Sequence, residues 1–243
     1  MSKTENIIIV IILVVVFYSV FHYIVYNVRR LKRAVSSYAK SRGLSVAEKD
    51  EDNAFGKMLE DRLSVPPGGV YGDIIRLPLS EGEGYFYSGY KGVESGSKKG
   101  ASDENLKYFI TVFMEIPILG PVFLFSHSEV KGNLLKKMFL LAISIVPGPG
   151  GKKALDIEER FPEFAKTHTI FAVNSEDAFD VILTADVVAI LMARLPHTYY
   201  NILFLPGGLI VEITPLFKSS ADVEVFVRLA EGLARYMGVR DDF

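Results

Sequence analysis

The chain of 243 residues contains no cysteine and no tryptophan, and it has only 4 histidines. The absence of cysteine excludes disulfide bonds, thiolate metal sites and thiol catalysis. It also excludes a small secreted protein stabilised by disulfides, and it is consistent with a reducing compartment.

The sequence also lacks the short motifs that mark common active sites. Residues 148–153 (GPGGKK) depart from the phosphate-loop pattern, because Val146 stands where that pattern needs glycine and Lys153 where it needs serine or threonine. We interpret this segment as a loop. Acidic residues between 156 and 163 lack the order of a calcium loop, and we interpret them as a solvated face. The chain has no GxSxG motif.

The histidines of the domain, His127, His168 and His197, are far apart and none has the spacing of an HExxH zinc motif. His127, Ser128 and Glu129 are consecutive, and consecutive residues of an extended chain point in opposite directions, so they do not predict a catalytic triad. The sequence therefore leaves any catalytic residue unknown, and it predicts no cofactor and no metal site.

One hydrophobic run accounts for the positive mean hydropathy of +0.26. Residues 7–26 read IIIVIILVVVFYSVFHYIVY, in which only Ser19 and His22 are not apolar. Twenty helical residues span about 30 Å, the thickness of a bilayer's hydrocarbon core. The run is too long, and its start too weakly basic, for a cleaved signal peptide. We predict a short extracytoplasmic tail over residues 1–6 and a transmembrane helix over 7–26. The other residues are about 45% apolar, which excludes a polytopic membrane protein and a disordered chain.

Basic residues follow the hydrophobic run, whereas Lys3 alone precedes it. This asymmetry predicts that the N-terminus lies outside and that the C-terminal domain is cytoplasmic, at the cell membrane. Tyrosines at the same end of the run favour the headgroup region. The predicted membrane-interface residues are Arg29, Arg30, Lys32, Arg33, Tyr23 and Tyr26.

The charge of the remaining chain has the opposite sign. Residues 43–243 contain 20 basic and 28 acidic residues, a formal charge of −8. A domain of this charge is poorly suited to nucleic acid, since phosphates require a cationic surface. The cations close to the membrane are suited to anionic lipids.

Residues 27–43 predict a basic juxtamembrane helix that ends at Gly43. Val28, Leu31, Val35 and Tyr38 recur at spacings of 3, 4 and 3, which leaves two interpretations. The stripe forms a parallel homodimer, or it packs on the domain or on lipid. We favour the second because the stripe covers fewer than two heptads.

Residues 44–243 predict one α+β domain, a mainly antiparallel sheet with packed helices, since no alternation of strands and helices indicates a parallel sheet. Four strands between residues 70 and 126 predict an antiparallel meander. The apolar stretch 134–146 is too short to span a bilayer, and it predicts a core helix or an interfacial helix. The remaining predicted elements are a helix at 51–63, a strand at 167–173, helices that begin near Asn174 and Thr184, a hairpin of 199–205 with 208–213, and a last helix from Ser219 or Ser220 to Gly238.

Five features carry a resemblance to a known family. They are the hydrophobic run with its basic stop, MEIP at 114–117 with PVFL at 121–124, DIE at 156–158, FPEF at 161–164 and NSED at 174–177. With these features the chain resembles a family of uncharacterised prokaryotic single-pass membrane-anchored proteins, over most of residues 40–235. The stretch 134–146 departs from that pattern. The resemblance implies a membrane anchor but no activity and no catalytic residues.

The sequence therefore predicts a membrane-tethered cytoplasmic module that binds a partner protein or the membrane surface. Its expected partners are the lipid bilayer and a protein partner or a second copy through the juxtamembrane helix, with no nucleic acid. The alternative is a membrane-anchored, hydrolase-like enzyme whose site is assembled only in the fold, from His127 or His168 with carboxylates. A lipid-binding roll resembling a pleckstrin-homology domain is disfavoured by the charge of −8.

Overall fold

The structure is a computed structural model that describes residues 29–30, 32–64, 71–90, 106–127, 154–194, 200–213 and 219–238. The predicted transmembrane helix with Tyr23 and Tyr26, the stretch 134–146, the loop 148–153 and His197 lie outside these ranges. Within the described ranges, no helix has the length and apolar character needed to cross a membrane.

The described residues form helices and strands that alternate irregularly along the chain. The helices are α1 (residues 32–41, with 29–30 also helical), α2 (Ala54–Leu63), α3 (Pro162–Ala165), α4 (Ala185–Arg194) and α5 (Ser220–Gly238), with a 3-10 turn at Glu51–Asn53 and a π-helix at Asp177–Ile182. The strands are β1 (Tyr71–Leu77), β2 (Glu83–Tyr90), β3 (Leu106–Phe113), β4 (Val122–Ser126), β5 (His168–Ala172), β6 (Tyr200–Leu205) and β7 (Gly208–Ile213).

The strands form a seven-stranded sheet in the order β1-β2-β3-β7-β6-β4-β5, and every neighbouring pair is antiparallel. This arrangement confirms the α+β prediction and the mainly antiparallel sheet. It also confirms the hairpin of β6 and β7.

The predicted four-stranded meander is wrong at its fourth strand. β3 pairs with β7, and β4 instead lies between β5 and β6. The cause lies just after β3, where the amides of Met114 and Ile116 donate to the carbonyls of Gly207 and Pro206 in the β6–β7 turn. The chain therefore follows that turn, and β7 occupies the edge of β3 beside which a fourth meander strand would lie.

The alternation of side chains along the strands creates two cores, one on each face of the sheet. Apolar residues of α1, α4 and α5 pack on one face in the larger core. On the other face, Phe55, Leu59 and Leu63 of α2 pack against Tyr71 and Tyr87. Each face of this sheet thus carries at least one amphipathic helix.

The predicted helix starts are largely observed, with one difference in helix type. The Thr184 hydroxyl accepts the Val187 amide at 3.4 Å, as expected for a cap of α4. Near Asn174 the chain forms a π-helix instead of the expected α-helix. The Asn174 side-chain oxygen accepts the Glu176 amide at 3.0 Å. The Asp177 carboxylate accepts amides of the loop between β3 and β4.

Candidate functional site

The predicted basic interface residues lie on α1 and at its start. Arg29, Lys32 and Arg33 are exposed, and Arg30 is half-buried. Another side of the same helix is buried in the larger core, and its four residues, each at most 5% exposed, are Ala34, Val35, Tyr38 and Ala39. The helix that follows the predicted membrane span is therefore an integral part of the domain.

The burial of Val35 and Tyr38 bears on the two interpretations of the apolar stripe. At these two positions the stripe packs on the domain, as the favoured interpretation expects. Val28 and Leu31 lie outside the described residues, and the homodimer through this helix stays a prediction.

A Schellman motif ends α1, as the glycine predicts. Gly43 has a positive φ of 66°, which costs glycine little because it has no Cβ. The amide of Leu44 donates to the carbonyl of Ala39 at 2.9 Å, and that of Gly43 to Lys40 at 3.2 Å. This geometry gives the chain a defined exit from α1 toward the edge of the sheet, where Ala47 bridges to Ile74.

A charged cleft of about 360 Å³ lies between α1, α5 and the segment after β1. Glu224 is its centre, since its Oε1 atom accepts from Arg42 at 2.6 Å and from Arg228 at 2.8 Å. About two turns further along α5, Arg235 lies 3.9 Å from Glu231. The Arg42 contact joins the end of the juxtamembrane helix to the last helix of the domain.

The cleft combines both signs of charge beside the buried Tyr38. Burial, followed by the nearby charge of Glu224, raises the pKa of the Tyr38 hydroxyl above its ordinary value. The hydroxyl therefore stays protonated at neutral pH. Three arginines against two glutamates leave little net charge, and the arginines are at least half exposed. The arrangement links α1 to α5 by a weak surface ion pair, and its small net charge does not favour an anion.

A wider, open groove of about 800 Å³ lies between residues 47–50 and α2. Phe55, Met58 and Asp50 are among the residues that line it. The Asp50 carboxylate accepts the amides of Phe55 and Gly56 at 2.8 and 2.9 Å. The carboxylate thus stabilises the start of α2, where four amides have no partner within the helix.

The fold brings His127 and His168 to neighbouring strand ends, where each contacts hydroxyl groups. His168 is buried; its Nε2 atom lies 2.8 Å from the Tyr200 hydroxyl, and its Nδ1 atom lies 3.3 Å from the Phe164 carbonyl. The ring stacks on Phe164 at 3.9 Å between centroids. The Thr167 hydroxyl also lies 2.9 Å from Nδ1. Because a carbonyl can only accept, the Phe164 contact assigns the proton to Nδ1, and Nε2 then accepts from Tyr200. His127 lies 3.2 Å from the Thr169 hydroxyl.

This histidine cluster has the character of a structural hydrogen-bond network. Burial lowers the pKa of His168 to about 4, so the ring is neutral at pH 7. Its partners are hydroxyls and a carbonyl, without the carboxylate that would orient a catalytic base. Among the described residues, no three His, Asp or Glu side chains are grouped so as to hold a metal ion.

The acidic residues of the predicted solvated face between residues 156 and 163 are exposed. The Asp156 carboxylate accepts the amide of Glu158 at 3.1 Å. Glu163 pairs with Lys166 at 2.6 Å, one turn away. Arg160 lies over the ring of Phe179 at 4.7 Å.

The cleft at Glu224 was not predicted from the sequence. The i,i+4 pairs Glu224–Arg228 and Glu231–Arg235 are visible as a spacing on the last helix. The Arg42–Glu224 contact has no such signal, because its residues are 182 positions apart.

The comparisons with known proteins add little to this geometry. No protein-family model matches the chain, and no curated protein matches it. One solved structure to which the chain is similar is that of the mycobacterial trehalose monomycolate transport factor A, TtfA. That likeness has a TM-score of 0.49 at 12% identity, and it covers 85% of this chain and 94% of the other. At this TM-score the likeness carries no argument about fold or function.

Proposed function

We propose that this protein is a single-pass, membrane-tethered module that holds its α+β domain in a defined orientation at the cytoplasmic face of the membrane and binds a partner protein there. The observation that carries the proposal is the burial of Val35 and Tyr38 in the core of the domain. A helix that belongs to the core transmits the direction of the membrane span to the domain, which a flexible linker does not do.

The distance between span and core is short. Seven residues lie between Tyr26, the last residue of the predicted span, and Ala34, the first residue of α1 that is described as buried. Even fully extended, the eight steps from Tyr26 to Ala34 span no more than about 29 Å. The domain is thus confined to the membrane surface.

The distribution of charge supports one orientation. Arg29, Arg30, Lys32 and Arg33 precede or begin α1, and each basic residue close to anionic lipid contributes about 1 kcal/mol of attraction. The domain at −8 is repelled by the same lipids. Both effects favour an orientation in which the start of α1 lies at the membrane and the acidic domain lies on its cytoplasmic side.

Two measurements test this proposal. In cell fractionation, the full chain is expected in the membrane pellet and a chain that begins at Arg29 in the supernatant. A shortened chain that still pellets completely would show that residues 7–26 are not the main tether. In protease protection, the domain is expected to resist protease added to intact cells and to be digested after permeabilisation. Digestion from outside intact cells would overturn the orientation.

A further inference from the structure

A leucine in the loop between β3 and β4 projects into solvent from a fixed backbone. Leu119 is 89% exposed. The Oδ2 atom of Asp177 accepts its amide at 2.9 Å and the amide of Gly120 at 3.0 Å. Asp177 is itself buried. A buried carboxylate therefore positions the backbone of an exposed apolar side chain.

A second exposed apolar residue lies beside this loop. Val173 directly follows β5 and is 64% exposed. A Cβ atom built on Gly120 would lie 3.3 Å from the Val173 Cβ, so the loop packs closely on this valine. Ile116 and Ile118 are buried and anchor the loop from below. Gly120 is the neighbour of Leu119, so this approach brings the two exposed apolar residues near each other, and we term Leu119 and Val173 together the Leu119 patch.

The fixed backbone distinguishes this patch from ordinary surface leucines. Single exposed apolar residues are common and need no explanation. Here, however, a carboxylate that is costly to desolvate is used to hold the loop. A side chain on a preorganised backbone loses little conformational entropy when it enters a pocket, and such anchors dominate binding energies at interfaces.

The charges around the patch select the kind of partner. Glu176, the residue before Asp177, is exposed, and so is Glu115 on the same loop as Leu119. Arg160, which lies over the ring of Phe179 in the same π-helix as Asp177, is also exposed, so these three side chains together carry a charge of −1. The whole domain carries a charge of −8. An anionic bilayer would repel this surface, whereas a protein with basic residues around a pocket would be attracted to it.

We propose that the Leu119 patch is the surface through which the tethered domain binds a protein that has an apolar pocket with a basic rim. This inference rests on the proposed function and names the chemistry of its partner.

Site-specific photo-crosslinking of the full chain in cells tests the proposal. The photoreactive residue p-benzoylphenylalanine replaces Leu119 or Val173, and Met192 on α4 serves as the control because it is also exposed and apolar. We expect adducts with one protein from the first two positions, at least about tenfold above the control. Equal yields at Met192, or adducts with lipid alone, would overturn the proposal.

Variants separate contact with the patch from mere proximity. With the crosslinker at Val173, Leu119→Asp is expected to lower the adduct yield about tenfold, whereas Leu119→Ile leaves it unchanged. Glu176→Lys is expected to lower the yield as well. The captured protein, identified by mass spectrometry and purified, is expected to bind the full chain more weakly as salt concentration rises. An adduct yield that Leu119→Asp does not change would show that the Leu119 patch is not the binding surface. An affinity that does not depend on salt would show that the partner does not bind through basic residues.

Fractionation of the same cells distinguishes this proposal from the proposed function. A Leu119→Asp chain that remains in the membrane pellet and loses the adduct supports both. A wild-type chain that forms the adduct but is absent from the pellet overturns the tether and leaves the patch supported.

Discussion

Arg42 and Glu224 are 182 positions apart in the chain, and their side chains meet at 2.6 Å. Arg42 follows α1, the helix nearest the predicted membrane span, and Glu224 lies in the first turns of α5, the last described helix. The contact joins the end of α1 to the beginning of α5, and the buried Tyr38 lines the same cleft. Two features thus connect α1 with the domain, a buried apolar stripe and an ion pair at the surface.

We expect the ion pair to contribute little to stability by itself. A double-mutant cycle of Arg42→Ala and Glu224→Ala should give a coupling energy of about 1 kcal/mol or less, because half of the Arg42 side chain is exposed to solvent. Urea denaturation of the chain in detergent measures it. The pair Glu163 and Lys166 serves as a comparison at the surface. A coupling of several kcal/mol would show that the cleft is desolvated.

The buried stripe should carry most of the attachment of α1. Val35→Ala removes two buried methyl groups from the larger core, and we expect it to lower the free energy of unfolding by about 2 kcal/mol. Ser36→Ala, at an exposed position of the same helix, should change it by no more than about 0.5 kcal/mol. Equal effects of the two substitutions would mean that α1 is only loosely attached, and would weaken the proposed orientation.

Local sequence patterns predicted the individual helices and strands of this fold better than they predicted which strands pair. The β6–β7 hairpin and the last helix were predictable because a Pro-Gly-Gly turn and a helical apolar stripe are local features. The pairing of β3 with β7 was not, since Tyr108 and Ile213 are about a hundred residues apart and alternation does not name a partner strand. The Leu119 patch escaped prediction for the same reason, because nothing in the sequence near Asp177 shows that its carboxylate reaches Leu119.

His168 should make the fold sensitive to acid. Its pKa is about 4 in the folded protein, below the ordinary value of 6.5, so between these values the unfolded chain takes up a proton that the folded chain does not. The part of the free energy of unfolding that depends on this pKa difference is fully present above pH 6.5. It is lost as the pH falls toward 4. Each pKa unit corresponds to 1.36 kcal/mol, which gives a loss of about 3 kcal/mol. Urea titrations of wild type and His168→Gln at pH 7 and pH 4 measure the difference, and identical pH dependences would contradict the assignment.

Asp177 should control the order of the loop that carries Leu119. Asp177→Ala removes the acceptor of two amides, and we expect a loss of about 1–3 kcal/mol in stability together with faster hydrogen exchange at residues 119 and 120. Glu176→Ala, next to it but exposed, should leave both quantities nearly unchanged. Hydrogen exchange followed by mass spectrometry compares the two variants. Unchanged protection in Asp177→Ala would show that the carboxylate does not hold the loop.

The basic residues that begin α1 should decide the orientation of the chain in the membrane. Replacing Arg29, Arg30, Lys32 and Arg33 together by glutamine removes the local excess of positive charge, and we expect a fraction of the chains to insert with the domain outside, because flanking Lys and Arg set topology. Protease added to intact cells would digest that fraction. The matched control replaces Lys57, Arg62, Lys107 and Lys166, which lie in the domain and far along the chain from the predicted span, and it should leave the domain fully protected. A domain equally protected in both variants would show that residues other than these four determine the orientation.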